Sequence, residues 1–268
     1  MIRRVLTIAG SDPGGGAGLQ ADLKTFCAFG VYGMSVVTAV TVQNTLGVRS
    51  VNPVAPRLAA AQAEAVLADI GADAVKIGML ATPGIVKAAA GCLKKYAVKN
   101  IVLDPVLRAK DGRALLSPDA EVALKKLLLP LALVVTPNAP EAARLAGVRV
   151  KNFSEARRAA KIISGLGPRF VLVKGGHIAG RFCRDLLYGG GEYAEFTYPR
   201  IDTRDTHGTG CTLSAAIAAC LALGLEPGEA VKEAGLYLAG AIKNSFRLGG
   251  GQGPLNHFWR SGLKVPQA

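Results

Sequence analysis

The segment "DTHGTGCTLSAAIAACLALG", Asp205 to Gly224, sets a lone thiol, Cys211, at the start of an alanine-rich helix and directly behind Gly208-Thr209-Gly210. The first N–H groups of a helix lack intrahelical partners and sit at the positive end of its dipole, so they attract anions, phosphate above all. Glycine lets a ligand approach the backbone closely and permits positive φ. A cysteine in that position is expected to have a lowered pKa, because the dipole favours thiolate. Cys211 could then act as a base, a nucleophile or a polar contact beside a transferred group; free cysteine also serves simply as a small buried hydrophobe. A cysteine hydrolase using His207 is conceivable, but no separate oxyanion device accompanies the pair.

Other residues with chemical potential fall at the ends of apolar runs. "AGSDPGGGAGLQADLKTF" is a second glycine-rich turn, without the lysine and hydroxyl of a Walker loop. Asp22 on the helix after it could accept a hydroxyl or amine proton. Gln43 in "TVQNTLG" offers a donor and an acceptor side by side, which matches a ring nitrogen beside an exocyclic amine. Lys174 in "VLVKGGH" can neutralise nucleotide phosphates. Asp104 in "LDPV" can hold magnesium or its waters, and "TPNAPEAARL" brings Asn138 and Glu141 to the same rim. Two anion sites, amides, a lysine and carboxylates are the equipment for phosphoryl transfer from a nucleotide.

These residues need a scaffold, and the chain supplies one. Its 268 residues are 50% hydrophobic and only 6% aromatic, a mixture suited to a buried parallel sheet under alanine-rich helices. Strand-like runs ("RRVLTIAG", "SVVTAVTVQ", "DAVKIGM", "NIVLDP", "LALVVTPN", "RFVLVKGG") alternate with helical patterns. Thr82 reads as the cap of one helix and Ser154 as the cap of another. "RDLLYGGGEYAEFTYPR" reads as a hairpin. Two helices, roughly 210–223 and 227–246, precede a glycine-rich tail that is irregular from about 248. We expect one α/β domain over 1–268, with a mostly parallel sheet between helical layers and a small antiparallel addition. In such sheets ligands bind beyond the carboxyl ends of the strands.

The net charge of +13 invites a nucleic-acid reading, but the basic residues are scattered over helical segments with no aromatic interleaving; they read as a solvated basic surface, or as a field that attracts an anionic small substrate. The five cysteines (Cys27, Cys92, Cys183, Cys211, Cys220) are widely spaced with no C-x-x-C pair, which predicts reduced thiols in a cytoplasmic protein. The apolar run before Ser11 is too short for a signal peptide. The longest low-charge stretch, 210–225, falls short of the roughly 18 residues that span a membrane and reads as a buried helix.

In order along the chain, "AGSDPGGGAGLQADLKTF", "TVQNTLGV", "KIGML", "LDPV", "TPNAPEA", "VLVKGGH" and "THGTGCTLSAAIAA" resemble the hydroxymethylpyrimidine/phosphomethylpyrimidine kinases of thiamine biosynthesis, a branch of the ribokinase-like superfamily. The resemblance runs from about Ile8 to Leu223. It implies the ribokinase-like three-layer α/β sandwich. It implies transfer of the γ-phosphoryl of ATP, with Mg2+, to 4-amino-5-hydroxymethyl-2-methylpyrimidine and then to its monophosphate. By resemblance, Gln43 reads the aminopyrimidine, with Asp22, Met79, Gly10 and Ala17 in the same pocket. Gly208, Thr209, Gly210 and Cys211 form the anion hole, with cysteine where sugar kinases carry a catalytic aspartate. Lys174, Asn138 and Thr206 lie on the nucleotide side and Asp104 near the metal; a homodimer is expected. A pyridoxine/pyridoxal kinase of the same superfamily is the alternative. The sequence departs from the family in "DPVLRAKDG", with Leu107 and Asp111 where Met and Ser are usual, and at Asp205, where asparagine is common. A carboxylate beside phosphate is costly unless a metal, lysine or arginine is close.

Overall fold

The computed structural model describes residues 1–107, 112–113, 115–177 and 180–262. The apolar runs become short strands whose two faces are both covered. β1 (Arg4–Ala9), β5 (Ala74–Ile77), β6 (Ile101–Leu103), β7 (Val134–Val135) and β8 (Phe170–Val173) are buried at nearly every position, as parallel strands between helical layers must be. With β2 (Tyr32–Val37), β3 (Ala39–Asn44), β4 (Gly47–Pro53), β9 (Phe182–Gly189) and β10 (Glu192–Pro199), they make two sheets. The larger has the order β10-β9-β8-β7-β6-β5-β1-β2, and the smaller pairs β3 with β4. Pairing is parallel from β2 through β8 and antiparallel at β8/β9 and β9/β10.

Alternation along each strand assigns its residues to the two faces. Leu6, Ile8, Val75, Ile77, Ile101, Leu103, Val171 and Val173 pack under α2 (Pro56–Asp69), α3 (Pro83–Lys95), α4 (Pro118–Leu127), α5 (Ala139–Ala146) and α6 (Phe153–Ser164). Val5, Ala74, Val102, Val134 and Leu172 pack under α1 (Gly18–Ala28), α7 (Thr209–Ala222) and α8 (Pro227–Lys243). The result is the expected three-layer α/β sandwich. Every residue of α7 from Thr212 to Ala222 is buried, so the low-charge stretch is the central helix of its layer. No helix among the described residues is long and apolar enough to cross a membrane.

Three local expectations change. The β-branched run around Ser35–Gln43 is two strands, not one. The chain leaves the main sheet at Thr38, whose N–H donates to Ala9 O (3.0 Å) and whose Oγ1 donates to Met79 O (2.6 Å). β3 then pairs with β4, so a second antiparallel pair stands beside the expected β9–β10 hairpin, which itself joins the main sheet. In that hairpin Gly190 and Gly191 both have positive φ, +61° and +88°, as a tight two-residue turn requires. Finally, Asn152 rather than Ser154 caps α6: its Oδ1 accepts the Glu155 N–H at 2.9 Å, because the helix begins one residue before Ser154. From 248 to 262 the tail has no helix or strand, yet Leu255, Asn256 and His257 are buried.

Candidate active site

The loops at the carboxyl ends of β1, β5, β6, β7 and β8 surround a cavity of about 1170 Å3 with the first turn of α7 at its floor. Gly10, Ala17, Gln43, Met79, Asp104, Asn138, Lys174, Thr206 and Gly208 through Cys211 all line it; Asp22 does not.

The two glycine-rich turns meet. Gly208 caps α7 in the left-handed conformation, φ +85°, and a methyl group there would overlap the Gly16 carbonyl. The first turn is wound around Asp12, which is almost fully buried. Its carboxylate accepts the N–H groups of Gly14 (2.9 Å), Gly16 (3.1 Å) and Ala17 (2.8 Å), and His207 Nε2 stands 2.8 Å from Oδ2. Burial works against the Asp12 charge, but the His207 imidazole and the Ala17 and Gly14 N–H groups outweigh it and hold the carboxyl below the usual carboxylate range. Gln43 Nε2 lies 3.2 Å from the same imidazole nitrogen.

Beside the α7 turn stands an ion pair. Lys174 Nζ lies 2.8 Å from Asp104 Oδ1, which also accepts the Thr136 hydroxyl at 3.1 Å. Gly210 leaves room for both: a Cβ there would come within 3.3 Å of Lys174 Nζ and 3.5 Å of Asp104 Oδ2. Asn138 and Glu141 form a capping box on α5, Asn138 Oδ1 accepting Glu141 N–H (2.9 Å) and Glu141 Oε2 accepting Asn138 N–H (2.8 Å). Burial pushes the Glu141 carboxyl up to about 7 against the attraction of Lys174, and the Asp104 charge adds to the rise. Buried Asp185 accepts the Gly175 N–H (2.8 Å), and burial lifts it to about 6.

Sequence reasoning assigned no role to Lys76, in β5. Its ammonium is fully buried and lies 2.7 Å from Asp22 Oδ2, which also accepts the Thr7 hydroxyl at 2.6 Å. Thr7 and Lys76 are partners across β1 and β5, so one face of the sheet brings them to Asp22. Gly78 makes space for the charge, since a Cβ there would fall 2.8 Å from Lys76 Nζ. Asp22 therefore sits behind Lys76, one layer below the cavity, and its Oδ1 has no hydrogen-bond partner.

At Cys211 the shift runs opposite to the lowering expected of a thiol at a helix start. Burial above all, with Asp22 and Asp104 adding, pushes the thiol up to about 11 against Lys76 and the Gly18 N–H. Loss of water around the charged form outweighs the helix start, and the two carboxylates add to it. Asp205 does not line the cavity; its Oδ1 accepts the Gly253 N–H at 3.0 Å and holds the tail. Leu107 is buried and lines the cavity; Asp111 lies outside the described residues.

A hard divalent cation wants oxygen ligands and, beside nucleotide phosphates, needs only one or two carboxylates. Asp104 and Glu141 meet that description; among the described residues no group of three or more His, Cys, Asp or Glu is placed to form an all-protein cage.

The sequence profile of the family described as phosphomethylpyrimidine kinase matches residues 12–256. The chain is 51% identical to the hydroxymethylpyrimidine/phosphomethylpyrimidine kinase of Rhizobium meliloti over 97% of its length and 98% of that protein. It is 47% identical to the thiamine biosynthesis bifunctional protein ThiED of Geobacter sulfurreducens, over 94% of this chain and 52% of that longer one. Among solved structures, an ADP complex of Bacillus subtilis pyridoxal kinase superposes with a TM-score of 0.90 at 39% identity, covering 97% of this chain and 99% of that one. The cavity equipped for phosphoryl transfer and the sequence match over nearly all its length agree: the chain belongs to the phosphomethylpyrimidine kinase family.

Proposed function

We infer that this chain transfers the γ-phosphoryl of ATP to 4-amino-5-hydroxymethyl-2-methylpyrimidine and to its monophosphate, as a kinase of thiamine biosynthesis. The observation that carries the reading is the contact of the two glycine turns, which brings the first turn of α7 and Cys211 to one side of a cavity whose rim holds Gln43. The N–H groups of that turn hold the migrating phosphoryl, and Lys174 offsets its charge. Gln43 reads the pyrimidine edge between Gly10, Ala17 and Met79. Asp22 acts through Lys76, whose buried ammonium supplies positive charge beneath the thiol. Cys211, neutral near pH 7, orients the substrate hydroxyl; a loose transition state asks little of a base. Asp104 and Glu141 would hold Mg2+, which would offset the charge of the nucleotide phosphates. Asn138 and Thr206 stand on the nucleotide side, with Leu238 and Ile242 of α8 offering an apolar wall to the base. The whole chain works as one domain; a cytoplasmic homodimer rests on the family resemblance and on cysteines that form no disulfide.

Pyridoxal is the runner-up substrate, favoured by the superposition on a pyridoxal kinase. An ATP-consumption assay with Mg2+ separates the readings. Turnover with hydroxymethylpyrimidine and its phosphate, and none with ribose, is expected. Turnover with pyridoxal and neither pyrimidine would overturn the assignment.

A further inference from the structure

We propose that His207 is a positioning residue that sets which way round the Gln43 amide faces the substrate, and so gives the cavity its preference for an aminopyrimidine edge. The inference rests on the reading of Gln43 as the group that meets the ring. The Asp12 carboxylate is fixed by three backbone N–H groups and can only accept. His207 Nε2, 2.8 Å from Oδ2, must therefore carry a hydrogen, whatever the state of Nδ1. The Gln43 amide nitrogen lies 3.2 Å from that same Nε2, and two N–H groups cannot bond to each other. A half-turn of the amide, which leaves its shape unchanged, puts the carbonyl oxygen against His207, where the one Nε2 hydrogen is shared between Asp12 Oδ2 at 2.8 Å and the amide oxygen at 3.2 Å.

The consequence reaches the substrate. With its oxygen held by His207, the amide turns its NH2 into the cavity as a donor, and the oxygen keeps a second lone pair beside it. A ring nitrogen can accept from the first while a neighbouring exocyclic amine donates to the second. Without His207 either orientation is open, and half of the amide's orientations present the wrong order. His207 is itself held rigidly. Its N–H donates to Gly253 O at 3.1 Å, and its ring lies so close to Gly16 that a Cβ there would come within 2.5 Å of Cδ2. It also immediately precedes Gly208, so one residue ties the ring reader to the turn that receives the phosphate.

Steady-state KM values for hydroxymethylpyrimidine and for ATP test this on the full chain carrying Gln43→Leu, His207→Leu, both, or His207→Gln. We expect His207→Leu to raise the pyrimidine KM about twofold, the factor set by an amide of which half the orientations are competent, with the ATP KM unmoved. The double variant should be no worse than Gln43→Leu. His207→Gln, whose amide nitrogen can stand where Nε2 stood, should restore most of the loss. If His207→Leu does not fold, His207→Asn, too short to reach Asp12, takes its place. A Gln43→Leu effect with no His207→Leu effect refutes the inference and spares the reading of Gln43. Equal loss for both substrates in His207→Leu refutes it as well, since that is a structural effect. No effect of Gln43→Leu sinks the ring-reading assignment and this inference with it.

Discussion

At the scale of single residues the site is governed by burial more than by the helix dipole. Cys211 stands at a helix start, where thiols usually acidify, yet burial and two neighbouring carboxylates push it up to about 11. Alkylation of Cys211 by iodoacetamide, followed by peptide mass spectrometry to separate it from exposed Cys27, should therefore climb steadily from neutral pH into the alkaline range. A plateau near neutrality would mean a standing thiolate. The pair behind it was not legible in the sequence. A lysine in "DAVKIGM" carries no local sign of its partner, because Asp22 lies on a different element and meets it only once β1 and β5 align. Lys76→Met should destabilise the fold by about 3–5 kcal/mol, because it leaves a buried carboxylate uncompensated. Adding Asp22→Leu should recover much of that in urea denaturation. A double variant as unstable as the single would show that the two do not act as a pair.

At the scale of elements, the alternation of strand and helix was legible because each parallel strand is buried on both faces and reads as a compact apolar run bounded by turn residues. The glycine-rich turns could be placed for the same reason, since each follows such a run. The split between β2 and β3 was hidden: β-branched residues continue through Thr38 with no glycine or proline, and the outward side chains Val40 and Val42 are apolar although about half exposed. Only the capture of Thr38 by Ala9 and Met79 ends the strand. The contact of the two glycine turns is equally non-local, and Gly208→Ala tests it. That change places a side chain at φ +85°, which costs roughly 1–2 kcal/mol, and drives a methyl group into the Gly16 carbonyl. We expect a lowered thermal midpoint and a fall in kcat larger than the lost stability explains, because the α7 turn must lift away from the loop that Asp12 winds. Gly228→Ala, in the first turn of α8 with nothing within 4 Å of the added atom, should be neutral or slightly stabilising. Equal behaviour of the two variants would mean that the turns need not touch.

At the scale of the whole molecule, the tail closes the structure. Gly253 joins Asp205 and His207 at the site. His257 then reaches the interior, where Nε2 pairs with the Thr212 hydroxyl of α7 at 3.0 Å and its carbonyl accepts the Tyr237 hydroxyl of α8 at 2.9 Å. Composition marked this tail as irregular, and its described part, through residue 262, has no helix or strand; its anchoring could not be read, because the partners lie on two other helices. Burial, with Lys24 adding, lowers His257 to about 4, whereas an unfolded histidine titrates near 6.5. Between those values the unfolded chain binds a proton that the native one refuses, so stability falls as pH drops through that window and is untouched by this group above it. The full span corresponds to about 3 kcal/mol. Urea midpoints should therefore decline from about pH 6.5 towards 4, and His257→Gln should flatten that limb. The single tryptophan, Trp259, donates to Tyr237 O at 3.1 Å, so its fluorescence should report release of the tail over the same range. Parallel declines in the wild-type and His257→Gln proteins would place the acid sensitivity in a group other than His257, and not in Glu141 or Asp185, whose raised carboxyls favour the native state as pH falls.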